Sequence, residues 1–478
     1  MTEPCDLSAI EARRLIGEKK LSPLELTRSC IERVEMVNGR VNAVVTIDAE
    51  MGLAAAREAE AAVMRGEELG LLHGLPVGIK DLDQTAGLRT THGSLLFKDD
   101  VPAADDPMIA NVRAAGGLVF MKTNTPEFGA GANTVNKVFG ATGNAFAPDL
   151  TCGGSSGGSA VGLATGMFPL ATGSDMGGSL RTPASFSGVV GFRPSPGLVP
   201  DPASSVALSP FAVLGPMGRS VEDAHLLLRA QLDEDAHDPW SSSDHARIPD
   251  RLTGADLSAI RAAISTDLGV APIEAGIRQT FDERVGIFSS AFAAADRIDP
   301  DMAGLHDAFE VLRGIGFVAS FEEHLRTKRE LLGINVIDNT ERALAYSLAD
   351  VAHAHMVQTR LYRAFVDLFE EADIVISPAV SVTPFPHKER APAEIDGAAM
   401  PTYMRWLAIV YGFTMALASV AVVPCGRDHR GLPFGIQVAG PKGSDAYVLE
   451  VALSIERLLA SDPRTARAVP DLSRLASA

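Results

Sequence analysis

A chain of 478 residues is longer than one hydrophobic core usually sustains, so one very large domain with an insertion and two domains are both open. Hydrophobic residues make up 46% and charged residues 21%, a globular composition, and the formal net charge of −18 argues against a nucleic-acid or anionic-membrane surface. Four cysteines, Cys5, Cys30, Cys152 and Cys425, are widely spaced without a C-x-x-C pair, which points away from a disulfide framework or thiolate zinc site and toward a reducing compartment.

Met1 to Leu7 lacks a basic segment followed by an apolar run, so no signal peptide is expected and the expected setting is cytoplasmic. Residues 7–70 read as helices. Ser22-Pro23-Leu24-Glu25 combines an N-cap serine, proline at the first helical position and glutamate at the third, and Ala54 to Arg65 is alanine-rich. From Pro76 short apolar runs alternate with Gly, Pro, Thr and Asn loops. Strands are predicted at Leu118–Met121, Phe168–Thr172 and Val189–Arg193, and a short small-residue helix at Ser159–Met167. Residues 231–256 are rich in Asp, Ser and His and read as an exposed loop, and residues 275–370 read as mostly helical. Sheet texture returns at Asp373–Pro378 and Leu432–Val438, and a helix is predicted from about Asp445 to Leu459. The apolar stretch Trp406–Pro424 is broken by Tyr411, Gly412, Thr414 and Ser419 and reads as buried core rather than a membrane span.

This interleaving predicts an α/β fold with a central mixed sheet. A single domain over 1–478 is expected, with N-terminal helices at 1–70, a core at 71–230, a variable, mostly helical insertion at 231–370, and a C-terminal sheet and helix at 371–478.

Two Gly-Gly-Ser clusters stand out, Gly153-Gly154-Ser155 and Gly177-Gly178-Ser179. Glycine allows unusual dihedrals and close backbone approach, so successive N–H groups can converge on one point, as a developing oxyanion requires. Either cluster alone is equally a glycine-rich turn with serine caps. No G-x-x-x-x-G-K-[ST] string supports a phosphate loop. Gly153-Gly-Ser-Ser-Gly157 also fits G-x-S-x-G, but that elbow needs a preceding strand, and Asn144–Thr151 is a proline-broken loop. Upstream, Lys80 closes the apolar run Leu75-Pro-Val-Gly-Ile79, which suits a buried strand rather than a solvated rim. Serving as a base near neutrality requires its pKa to fall from roughly 10.4 to about 7–8, a differential of ~4 kcal/mol. Strand alternation turns the adjacent Asp81 to the other face.

These residues resemble the amidase signature family. The likeness covers most of the length, through GLPVGIKD, KTNTPEF, GGSSGGSA, ATGSDMGGSLRTPASFSGVVGFRPS, GPMGRSVEDA and LPFGIQVAGP. The resemblance implies the amidase signature fold, a mixed sheet flanked by helices on both faces, and a Ser–Ser–Lys triad. In it Ser179 matches the nucleophile, Ser155 the bridging serine on a cis peptide bond, and Lys80 the base. It also implies an oxyanion hole from the amides of Met176, Gly177, Gly178 and Ser179, an acyl-pocket wall at Glu127-Phe128-Gly129, and an Asp175–Arg181 ion pair that fixes the loop. The activity implied is hydrolysis of a small-molecule carboxylic amide, and of esters, through an acyl-serine intermediate. No cofactor, metal, nucleic acid or membrane is expected, and a homodimer is compatible.

The family also includes the glutamine-hydrolysing subunit of a tRNA-dependent amidotransferase, and the triad does not discriminate the two. Such subunits carry an acidic residue in a D-x-F-T segment, where this chain has Tyr411-Gly412-Phe413-Thr414. A non-enzymatic binding module is disfavoured by the intact triad positions. The FRPSPGLVP segment and the helical insertion resemble bacterial amidases of small or xenobiotic amides. His353 and His355 sit two apart on a predicted helix and face different sides, so they read as ordinary helix residues. Cys152 reads as a packing residue, and Tyr403, Trp406 and Tyr411 are open between pocket and core.

Overall fold

The first long helix begins as its sequence dictates. Ser22 Oγ accepts from the Leu24 and Glu25 N–H groups while the Glu25 carboxylate accepts the Ser22 N–H, a complete capping box. The computed structural model describes residues 3–241 and 247–476. Residues 242–246 of the predicted polar loop therefore lie outside the described part.

Helices run in the order α1 Ala9–Gly17, α2 Pro23–Val41, α3 Ala49–Arg65, α4 Pro107–Ala114, α5 Gly157–Thr165, α6 Arg181–Ser187 and α7 Val221–Gln231. They continue with α8 Ala275–Phe288, α9 Leu305–Thr327, α10 Ile334–Leu344, α11 Leu348–Glu371, α12 Ala408–Met415 and α13 Asp445–Ala460. The strands are β1 Val44–Ile47, β2 Pro76–Lys80, β3 Leu118–Thr123, the short pair β4 Val135–Asn136 and β5 Gly140–Ala141, β6 Leu170–Asp175, β7 Val190–Arg193 and β8 Val213–Gly218. Then come β9 Arg261–Ile264, β10 Ala294–Arg297, β11 Ile374–Pro378, the short pair β12 Glu394–Ile395 and β13 Ala398–Ala399, β14 Ser419–Arg427 and β15 Pro433–Gly440.

One eleven-stranded sheet has the order β1-β3-β2-β6-β8-β7-β14-β15-β11-β9-β10. It is mixed: β2 runs parallel to β3 and β6, and β11 parallel to β9, while β6–β8, β7–β14 and β14–β15 are antiparallel. Every residue of β2, β3, β7, β11 and β15 is buried. Since side chains alternate between faces, wholly buried strands require cover on both faces, which explains their continuous apolar runs. None of the described helices is long and apolar enough to cross a membrane.

Three features depart from the sequence reading. Val44–Ile47 lies inside the stretch read as helical, yet it pairs antiparallel with β3, Val44 opposite Thr123. Val213–Gly218, unassigned from sequence, lies between β6 and β7 in the sheet. The helical reading of 231–370 omits β9 and β10, which continue the sheet beyond β11, Ala262 pairing with Ile374 and Ala294 with Arg261. Trp406–Pro424, expected to be buried core, is buried apart from the half-buried Leu417, and divides into a short helical turn, α12 and most of β14. The missed strands are short, and their pairing partners are distant in sequence, so local periodicity carries little signal for them.

The parallel strands β2 and β6 end side by side. Lys80 is the last residue of β2, and Ser174 and Asp175 close β6. Gly78 shares the Lys80 face, and a Cβ there would lie 2.6 Å from the Phe168 ring, so glycine lets the helix α5 layer seat closely over this strand.

Candidate active site

Lys80 is fully buried. Its Nζ lies 2.7 Å from Ser155 Oγ, 2.9 Å from Ser156 Oγ and 2.9 Å from Ser174 Oγ. No carboxylate among the described residues forms an ion pair with it. Burial pushes the ammonium down to about 7, against the pull of the Asp83 and Asp175 carboxylates. A neutral amine has two N–H donors and one lone pair, which matches three surrounding hydroxyls provided that one of them donates to nitrogen. Asp81 turns away as alternation requires, its carboxylate accepting from the Thr91 N–H and hydroxyl. The carboxylates that influence Lys80 are Asp83, beyond the strand end, and Asp175. Thr172 Oγ1 accepts the Lys80 N–H and donates to Asp83 Oδ2, each over 2.9 Å.

Ser155 lies in the loop entering α5, and the Gly154–Ser155 peptide bond is cis. The Ser156 N–H donates to the Ser179 carbonyl (3.2 Å), joining the two glycine–serine loops. Ser155 and Ser179 line one cavity of about 420 Å³, with Gly129, Met176, Gly177 and Phe128 in its wall. No hydrogen bond links the Ser155 and Ser179 side chains among the described residues, so the structure joins Lys80 to Ser155 directly and brings Ser179 to the same cavity.

The loop after β6 is held from beneath by Asp175. Its Oδ1 accepts from Arg181 Nη2 (2.8 Å) and the Gly178 N–H (3.0 Å), and its Oδ2 accepts from Arg181 Nε and the Leu180 N–H, both at 3.0 Å. Arg193 Nη1 adds a bond to the Asp175 carbonyl. Burial raises the Asp175 carboxyl, but Arg181, these donors and Arg193 outweigh it and bring it down to about 2. One sequence expectation is corrected here. The Gly178 N–H, expected among the oxyanion donors, is committed to Asp175, and Gly178 is not part of the cavity wall. Gly178 has φ of 102°, and an added Cβ would lie 2.4 Å from Val410 Cγ2, so its role is steric. The N–H groups of Met176, Gly177 and Ser179 have no hydrogen-bond acceptor among the described residues.

The predicted acyl wall is only partly present. Phe128 and Gly129 line the cavity, whereas Glu127 is a tie, accepting from Ser94 Oγ and the Gly333 N–H. Tyr403, Trp406 and Tyr411 are packed in the core, and their neighbours Met404 and Leu407 reach the cavity instead. Trp406 lies in the helical turn Arg405–Leu407 and packs edge-on against the Phe385 ring. Tyr411 stacks on Phe309 at 4.1 Å, and its hydroxyl is hydrogen-bonded to His306. Cys152 is buried, and burial pushes its thiol up to about 12. His353 and His355 are exposed on α11. No described cluster of His, Cys, Asp or Glu could hold a metal ion. Sequence reasoning missed Ser156, Ser174 and Asp83. Ser156 and Ser174 lie next to residues it did single out, but only the tertiary contacts distinguish them from ordinary polar neighbours.

The profile of the Amidase family matches residues 25–449. An acylamidase of Rhodococcus erythropolis is 30% identical over 458 residues, covering 94% of this chain and 95% of that one. A glutamyl-tRNA(Gln) amidotransferase subunit of Carboxydothermus hydrogenoformans is 30% identical over 483 residues, covering 94% and 97%. The solved structure of a bacterial aryl acylamidase of the amidase signature family superposes with a TM-score of 0.87 at 26% identity, covering 96% of each chain.

Proposed function

Because the chain belongs to the amidase signature family of amide C–N hydrolases, we propose that it cleaves a small carboxylic amide to a carboxylate and an amine or ammonia, with Ser179 as nucleophile. The observation that carries this reading is the buried Lys80 amine, held near neutrality and 2.7 Å from the Ser155 hydroxyl. In the proposed sequence Lys80 accepts the Ser155 proton, Ser155 accepts that of Ser179, and Ser179 Oγ adds to the carbonyl carbon. The N–H groups of Met176, Gly177 and Ser179 are the proposed donors to the oxyanion. Collapse breaks the C–N bond while Ser155 returns a proton to the leaving nitrogen. Water, deprotonated by the same relay, then releases the acid. The acyl-enzyme route accepts esters as well. Release of amine or ammonia from a panel of aliphatic and aryl amides, with trapping of an acyl group on Ser179, tests the reading.

The kcat/KM of a non-ionising amide is expected to rise with pH through an apparent pKa near 7 and then level off, because only uncharged Lys80 accepts a proton. Steady-state rates from roughly pH 5 to 9 check this, and a flat profile counts against Lys80. Gly178→Ala is expected to lower kcat/KM by ~10²-fold or more, since the added methyl meets Val410 and displaces the adjacent Ser179. Unchanged rates in that variant would mean that the loop position is not critical.

A second reading follows from the likeness to an amidotransferase subunit. Glutamine hydrolysis that appears only with partner subunits would favour it. Against it stands the buried Tyr411, which supplies no carboxylate to the cavity at the position where that class carries its acidic residue.

A further inference from the structure

Beside the nucleophile cavity lies a second one, of about 450 Å³, with a mostly apolar wall that includes Phe211, Ile315 and Phe321. Arg313, Phe317 and Phe128 line both cavities, so Arg313 of α9 stands where the two meet. Its side chain is only 7% exposed. Buried arginines in this chain otherwise face carboxylates: Arg33 faces Asp6, and Arg181 and Arg193 face Asp175. Arg313 has no carboxylate within ion-pair distance among the described residues. Its Nη1 donates to Asn339 Oδ1 and its Nη2 to the Tyr403 hydroxyl (2.7 Å), both uncharged acceptors, and the guanidinium lies over the Phe317 ring at 4.5 Å.

Guanidinium does not lose its proton in a protein, so the charge is permanent, and two of its five N–H donors are used here. A buried charge normally has an opposite charge near it, because desolvation costs several kcal/mol or more. Of the four carboxylates in the nucleophile cavity wall, Asp83 is bonded to Thr172, Asp106 to the Gln84 N–H and Asp175 to Arg181, while Asp201, whose carboxyl burial pushes up to about 6, forms no ion pair with Arg313. The Asn339 and Tyr403 bonds also hold the fork in one orientation, which lowers the entropy lost when a planar anion docks on it.

We propose that Arg313 is an anion-recognising subsite and that the substrate is an amide whose acyl portion carries a carboxylate. The proposal rests on the amidase reading for the word substrate, but its binding claim does not. The acyl side is assigned because Arg313 shares both cavity walls with Met176, which opens the loop carrying Ser179, the residue to which the acyl group is attached in the proposed mechanism.

The test separates binding from turnover. A series of anilides, with acyl chains of increasing length ending in carboxylate or in methyl, is titrated calorimetrically against Ser179→Ala protein. The same compounds are assayed for aniline release with the unmodified protein. At least one carboxylate member is expected to bind ten-fold or more tightly than its methyl partner. Arg313→Met is expected to erase that preference, through KM rather than kcat in the active protein, and Arg313→Lys to keep part of it. Thermal unfolding of each variant shows that it is folded, and Arg313→Gln serves if methionine is not accommodated. Equal affinity of every pair, binding of neither member, or a preference that survives loss of the arginine overturns the proposal. A carboxylate preference without any aniline release leaves the anion subsite standing and overturns the amidase reading instead.

Discussion

Ser179→Ala is expected to abolish turnover, lowering kcat by roughly four to six orders of magnitude, because in the proposed mechanism the residue acts as one unit with its proton relay. The protein is expected to stay folded, since Ser179 is half-buried on a loop whose position is set by Asp175. Lys80→Met should cost ~10²–10⁴-fold at neutral pH, the usual worth of a positioned general base. Methionine fills similar volume and removes a buried amine, so stability should hold even as the bonds to Ser155, Ser156 and Ser174 are lost. The two effects should not add: the double variant should resemble Ser179→Ala. Amide hydrolysis by Ser179→Ala at more than about a hundredth of the native rate would remove Ser179 from the nucleophile role.

Asp175→Asn carries the largest expected change in stability. The carboxylate is buried with two arginines, Arg181 and Arg193, that are themselves fully buried. Neutralising it leaves two cations without an anion, and breaking a buried pair in this way costs roughly 3–5 kcal/mol. The same substitution replaces the two carboxylate oxygens that accept the Gly178 and Leu180 N–H groups with one amide oxygen and an NH2 group that cannot accept, so the loop bearing Ser179 should loosen. Urea unfolding should show the lower midpoint, and kcat should fall with it. Because the carboxyl sits at about 2 in the folded protein, below its ordinary value of 3.8, its contribution is present above the ordinary value and is lost as pH falls toward 2. A variant as stable as the native protein would show that the arginines find their stabilisation elsewhere.

Several elements of the site are legible in the amino-acid sequence. The two glycine–serine clusters announce backbone with unusual dihedrals, and Gly153 and Gly178 do take φ of 78° and 102°. The apolar run before Lys80 announces a buried amine, because such a strand has no solvated face. The capping box at Ser22 is local chemistry within four residues, and it forms as written. What the sequence obscures is equally specific. Gly178 resembles an oxyanion donor because it adjoins the serine, yet the loop curls so that its N–H meets Asp175. Tyr403, Trp406 and Tyr411 suit a pocket wall and a core equally well, as aromatic residues do; their partners Arg313, Phe385 and Phe309, distant in sequence, decide between the two.

By itself, then, the amino-acid order marked out the proposed reacting groups, the mixed α/β character and the places where the chain must bend. These follow from side-chain chemistry, glycine freedom and short-range periodicity, all of which act between near neighbours. Only the tertiary structure decided which groups meet. The Lys80 amine finds hydroxyls 75, 76 and 94 residues away, Arg313 comes to stand between two cavities without a counter-charge, and the strands at 261–264 and 294–297 join a sheet begun at residue 44. Such contacts depend on strand order and on packing between distant elements, and neither leaves a local trace in the chain.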